Sequence, residues 1–121
     1  MDLDDAIRTH MRWRLNLSAY LRRVDGSLRP ELVGMDSQCQ LGMWLHDPGN
    51  SLKGSGIHRE LLHEHAEFHQ EAAVLVARAN RGERVDGEAS LGATSPYAQR
   101  SSRLVSLIAT LRRLSPPGRE T

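Results

Sequence analysis

Apolar side chains recur along the N-terminal segment at steps of mostly three and four: Ala6, Ile7, Trp13, Leu17, Tyr20, Leu21 and Val24, with His10 on the same stripe. That spacing predicts an amphipathic helix. Arg8, Arg12, Arg22 and Arg23 fall largely off the stripe, and Asp2, Asp4 and Asp5 suit the positive end of a helix dipole. Asp25-Gly26 is the expected stop. Residues 26–35, with Pro30 and Gly34, read as a connector. Asp36 is then placed as the N-cap of a short helix that carries Cys39 in its first turn and runs to about His46. Asp47-Pro48-Gly49-Asn50 ends it, and residues 47–56 read as loop.

A longer helix opens at Ser55 or Gly56. Ile57, Leu61, His65, Phe68, Ala72, Leu75 and Ala79 mark one face, and Glu60, Glu64, Glu67 and Glu71 mark another. The run to Asn80 spans about 24 residues, or about 36 Å. Asn80-Arg81-Gly82 closes it, and residues 83–95 carry no clear period. Ser95-Pro96 starts a last helix, with Ser as N-cap and Pro at its first position. Tyr97, Ser101, Leu104, Ile108 and Leu111 follow it at helical spacing. Pro116-Pro117-Gly118 ends it, leaving 116–121 as an expected flexible tail. No segment alternates like a strand. The fold class is all-α: an antiparallel helical bundle over residues 1–115, with three long helices and one short helix carrying the Cys.

A chain of 121 residues makes one domain and buries a real core without disulfide staples. Its formal charge of +1 and its few aromatics argue against nucleic acid or an anionic membrane as partner. The acidic start is unlike a signal peptide. The longest apolar stretch, Ala72 to Ala77, is far short of the ~20 residues of a membrane span. The expected location is cytoplasmic, where a thiol stays reduced.

Against that ordinary background, one Cys and six His are conspicuous, and four of the His fall between 58 and 69. His65 and His69 are at i and i+4, so one helix face presents both imidazoles. By phase they lie on or beside the core face, whereas His58 and His63 fall off it and read as surface residues, with His46 at a helix end. His-x-x-x-His alone is equally consistent with two hydrogen-bonded histidines at a helix seam. His63-Glu64 begins like a zinc-protease helix, but Glu67 stands where that motif needs its second His. His10, read alone, is a core histidine, and Cys39 alone is either a small hydrophobe or a thiol at a helix N-terminus. Taken together, three inward His and one Cys from three helices offer the ligand types zinc prefers. Such a shell is tetrahedral and closed, leaving no position for an activated water.

The motifs are more specific than the spacing. Cys39-Gln40-Leu41-Gly42-Met43-Trp44 and His65-Ala66-Glu67-Phe68-His69, preceded by His10 with Trp13, resemble the chemoreceptor zinc-binding (CZB) domain family from about Asp5 to about Ala79. The resemblance implies Zn2+ as the cofactor and His10, Cys39, His65 and His69 as its ligands. Gly42 is expected to allow close packing of the short helix, and Trp44, Phe68 and Trp13 to wall the site with apolar surface.

In that family the domain is typically fused to a chemoreceptor hairpin or a diguanylate cyclase. Its members sense zinc, and in some the zinc-bound Cys is implicated in sensing hypochlorous acid. Neither output module is present in these residues. The expected function is therefore a non-enzymatic regulatory module that signals in trans to chemotaxis or cyclic-di-GMP proteins. A homodimer is also expected, with Leu104, Ile108 and Leu111 as one candidate face and ordinary core as the other reading of those residues. The alternatives are a small zinc hydrolase, with Glu64 or Glu67 as base, and a zinc buffer. A di-iron carboxylate bundle fits worse, because His10 lacks a partner Glu at the required spacing.

Overall fold

The computed structural model describes residues 1–114; the tail expected over 116–121 lies outside the described residues. Three long helices form the frame: α1 (Leu3–Arg22), α4 (Gly56–Asn80) and α6 (Pro96–Leu114). Three short ones, α2 (Pro30–Val33), α3 (Gln40–Leu45) and α5 (Gly87–Leu91), lie in the connections, with a 3-10 turn over Asp36–Gln38. The described residues contain no strand, so the all-α bundle expected from the periodicity is the fold observed.

The caps follow the side chains. Asp2 accepts from the Asp5 N–H and opens α1, and Ser55 does the same for α4 through His58. Ser95 Oγ accepts from the Ala98 N–H at 3.1 Å, directly ahead of Pro96 at the start of α6. At the far end of α4, Gly82 takes φ +85°, a conformation that glycine adopts without Cβ strain. The first helix stops before Asp25-Gly26, at Arg22, and Val24 lies outside it and is exposed.

Side-chain pairs fix the helix directions. Phe68 packs on Tyr97, Glu64 meets Arg100, and Asp4 at the start of α1 pairs with Arg112 near the end of α6. Helix α6 is therefore antiparallel to both α4 and α1. His10 lies beside His65, and Tyr20 bonds Asn80, so α1 and α4 point the same way. The connection over residues 23–55 carries the chain back along their length. Leu17, Leu61, Phe68, Val76, Leu104 and Ile108 are fully buried between the three long helices. Leu104, Ile108 and Leu111 belong to this core, which removes the reading of these three as a dimer face.

Two elements had no period to announce them. Pro30 at the first position of α2 starts a single turn inside the expected connector. Asp86 caps α5, whose one core residue is Leu91. A single turn is too short to display a helical repeat. The short helix with the Cys also begins later than expected: Asp36 starts a separate 3-10 turn, and Cys39 is itself the N-cap of α3.

Candidate metal centre

Each of the four expected site residues sits where a helix directs it to one point. His10 comes from the buried stripe of α1, Cys39 from the cap of α3, and His65 and His69 from successive turns of α4. One ligand-type atom from each lies within 4.8 Å of those of the other three. Cys39 Sγ is 3.1 Å from His65 Nε2 and 3.8 Å from His69 Nε2, and the two Nε2 atoms are 3.1 Å apart. A tetrahedral zinc shell of ordinary bond lengths spaces its ligand atoms by ~3.3–3.6 Å, so the observed spread brackets it.

The outer nitrogens set the tautomers. His10 Nδ1 donates to the Ala6 carbonyl at 2.7 Å, and His69 Nδ1 donates to the Val33 carbonyl at 2.8 Å. Val33 ends α2, where a carbonyl has no intrahelical partner. Both imidazoles therefore keep their Nε2 lone pair for the centre, the arrangement that outer hydrogen bonds impose on metal-bound His. His10 is 1% exposed and its Nε2 has no hydrogen-bond partner. A buried nitrogen left so costs on the order of 1–3 kcal/mol. A cation at the centre removes that deficit, and the donor set of one sulfur and three imidazoles suits zinc.

Electrostatics agree on the imidazoles. Burial pushes His65 down to about 2, with His69, His10 and His46 nearby adding to the effect. Burial also lowers His10 and His69. All three are neutral at pH 7, the form that binds metal. The thiol differs from the expectation of a helix-stabilised thiolate. Burial pushes Cys39 up, the Asp36 carboxylate adds to this, and the N–H groups of Gly42 and Leu41 only partly offset them. Without a cation, Cys39 is a neutral thiol; a bound cation would take its proton off.

Gly42 and Phe68 do what their chemistry suggested. A Cβ on Gly42 would lie 1.6 Å from the Asp36 carbonyl and 3.1 Å from His65 Cε1, so no side chain fits there. The Phe68 ring lies 5.3 Å from that of His10 and 5.5 Å from that of His69, forming an apolar wall. Trp13 lines a surface cleft of about 280 Å³ that reaches Cys39 and His69 past Leu32 and Met35. Trp44 is half-buried against the core.

His46 and His63 are exposed as expected, but His58 is not. It is 5% exposed, and its Nε2 donates to the Leu45 carbonyl at 2.9 Å, joining the end of α3 to the start of α4. Glu64 is no free base. Arg100 holds both its carboxylate oxygens at 3.0 and 3.1 Å, across the α4–α6 seam. Asp36, expected only as a helix cap, is also a neighbour of the site: its carboxylate lies 3.2 Å from His46 Nε2 and 3.9 Å from His65 Nδ1. The sequence signal for it is the spacing Asp36-x-x-Cys39.

The family model of the chemoreceptor zinc-binding domain matches residues 10–76, a span that begins at His10 and includes Cys39, His65 and His69. No curated protein and no solved structure matches the chain. With more than half of its length matched and a Cys/His cluster compatible with a metal ion at the centre of that span, the chain belongs to the chemoreceptor zinc-binding domain family.

Proposed function

We propose that this chain is a zinc-responsive regulatory module in which His10, Cys39, His65 and His69 hold one Zn2+ in a closed shell. The observation that carries this reading is the convergence of four ligand-type atoms whose outer nitrogens, at His10 and His69, are already bonded to Ala6 and Val33. Four protein ligands leave no position for a reacting water, and Arg100 occupies the nearest buried carboxylate, Glu64. Both points favour regulation over hydrolysis.

The segment that would respond is the connection over 23–55. It contributes Cys39 and it is tied to His69 through the Val33 carbonyl, so occupancy of the centre and docking of α2 and α3 are coupled. The cleft at Trp13 gives small molecules a route to Cys39. Hypochlorous acid would oxidise a metal-bound thiolate to the sulfenic acid and release chloride, removing one ligand of four. The rearranged segment would then be read by a chemotaxis or cyclic-di-GMP protein in trans. The homodimer contact falls to other surface than the α6 core residues. Met11 and Leu15, one turn apart on α1 and 59% and 68% exposed, are two of the exposed apolar side chains that could make it.

Metal analysis of the purified protein tests the shell. One zinc per chain is expected, lost or strongly weakened by Ala at each of the four positions. Full zinc retention in His10→Ala would overturn the closed shell and reopen the hydrolase reading. Partner capture with and without chelator tests the output, and an unchanged set of partners would reduce the zinc to a structural role.

A further inference from the structure

The three imidazoles of the centre are not supported alike. His10 and His69 each place Nδ1 on a backbone carbonyl at 2.7 and 2.8 Å. His65, 0% exposed, has no hydrogen-bond partner for Nδ1. Its Nε2 faces Cys39 and His69, so its ring proton belongs on Nδ1 when Nε2 serves a metal. A buried N–H without an acceptor is destabilising, and metal-bound His almost always donates its outer N–H to a carboxylate, carbonyl or water. The carboxylate oxygen Oδ2 of Asp36 lies 3.9 Å from that Nδ1, just beyond hydrogen-bonding distance.

Asp36 is placed to cover the remaining distance. It begins the 3-10 turn that leads into Cys39, so one short segment supplies both a ligand and this carboxylate. The backbone of that turn is seated against Gly42, where a Cβ would collide with the Asp36 carbonyl. The carboxylate also meets His46 Nε2 at 3.2 Å, on a side chain that is half exposed. Charge points the same way. Zinc with one thiolate and three neutral imidazoles carries one net positive charge, and a buried charge is retained at low cost only when it is paired. Asp36 is the carboxylate placed beside His65 to balance it.

Resting on the four-ligand reading above, we infer that Asp36 is the positioning residue of the centre: its carboxylate accepts the Nδ1–H of His65 in the metal-loaded protein, fixing the tautomer that presents Nε2. His46, on the outer side, shares that carboxylate and gives it up on loading.

The test is zinc affinity by chelator competition together with the imidazole N–H resonances of the loaded protein. Wild type should show a slowly exchanging, downfield Nδ1–H for His65. Asp36→Asn should weaken zinc binding by about tenfold, the low end of outer-ligand effects. It should also shift the His65 resonance while leaving those of His10 and His69 in place, whereas His46→Ala should bind zinc no more weakly than wild type. Affinity within twofold of wild type in Asp36→Asn overturns the inference, as does movement of all three resonances together or of none. If Asp36→Asn does not fold, absence of a protected His65 Nδ1–H in wild type overturns it alone. A wild-type protein that binds no zinc overturns the four-ligand reading instead, before any variant is made.

Discussion

The frame of α1, α4 and α6 and the connection over 23–55 are held by different forces. The frame buries a continuous apolar seam, with Leu17, Leu61, Phe68, Val76, Leu104 and Ile108 inaccessible to solvent. The connection has few such residues: Val33, Leu41 and Leu45 are its buried apolar side chains, Gly42 is a tight contact, and Gly26 and Gly54 are turns at positive φ. What fastens it is polar. Tyr20 donates to Asn80 at 2.6 Å and accepts from the Gly26 N–H, Asn80 donates to the Leu28 carbonyl, and His69 donates to the Val33 carbonyl. Apolar packing is insensitive to metal, whereas this polar fastening includes the proposed ligand His69, and the connection itself carries Cys39. The frame is therefore the constant part of the molecule and the connection the part that metal can change.

The largest effect should come from breaking the frame. Leu104→Ala removes a wholly buried side chain from α6, and such truncations cost about 2–5 kcal/mol. Urea denaturation should give the same loss with zinc and with chelator, because α6, which carries Leu104, supplies none of the four ligands. A loss that depended on metal would erase the distinction between the two regions. His65→Ala attacks the other side of it. This variant should lose at least ~100-fold in zinc affinity, about 2.7 kcal/mol, more than an outer-ligand change costs. Hydrogen exchange should then quicken across 28–46 and stay slow in the middle of α6. Equal quickening in both would mean that metal holds the whole bundle.

Acid provides a graded version of the same contrast. In the metal-free protein, burial depresses His65 to about 2 and also lowers His10 and His69 from an ordinary 6.5. Below 6.5 the unfolded chain takes up protons that the folded chain refuses. Stability is complete above that value and declines as pH falls, by up to about 1.4 kcal/mol per pH unit for each refusing imidazole. Denaturant midpoints in chelator should drop between pH 7 and pH 5.5. A His10→Ala, His65→Ala, His69→Ala triple variant should flatten that drop, and an undiminished slope would place the acid sensitivity elsewhere.

The frame was legible from sequence because long helices repeat. Ile57, Leu61, His65, Phe68, Ala72, Leu75 and Ala79 carry the period over many turns, and all but half-buried Ile57 are in fact buried. The site was legible because its ligand types are rare and its motifs specific, and the four residues do converge. The connection was read poorly for physical reasons. A four-residue helix such as α2 has no period, and what it offers the site is a backbone carbonyl, that of Val33, which accepts from His69 and which no residue type announces. Cys39 was assigned a low proton affinity from its place at a helix start, but burial and Asp36 outweigh two N–H contacts. Helix α6 runs antiparallel to α1 and α4, and α1 and α4 are parallel because the connection, although its helices are short, spans the length of the bundle.

His58 gives the smallest effect and the finest division between the two regions. Its phase put it off the apolar face of α4, and on a bare helix it would be solvated. It is buried because α3 packs over the first turn of α4, and its ring N–H takes the Leu45 carbonyl at the end of α3. His58→Ala leaves that carbonyl without its donor and should cost about 1–2 kcal/mol, the range for a neutral hydrogen bond with a partly buried acceptor. Its location decides what else moves. The bond joins α3 to the frame at the end away from Cys39, so zinc affinity should change by less than tenfold while hydrogen exchange quickens over 43–58. A loss of zinc as large as that of His65→Ala would mean that α3 is one rigid lever, and that docking at Leu45 and ligation at Cys39 are a single event.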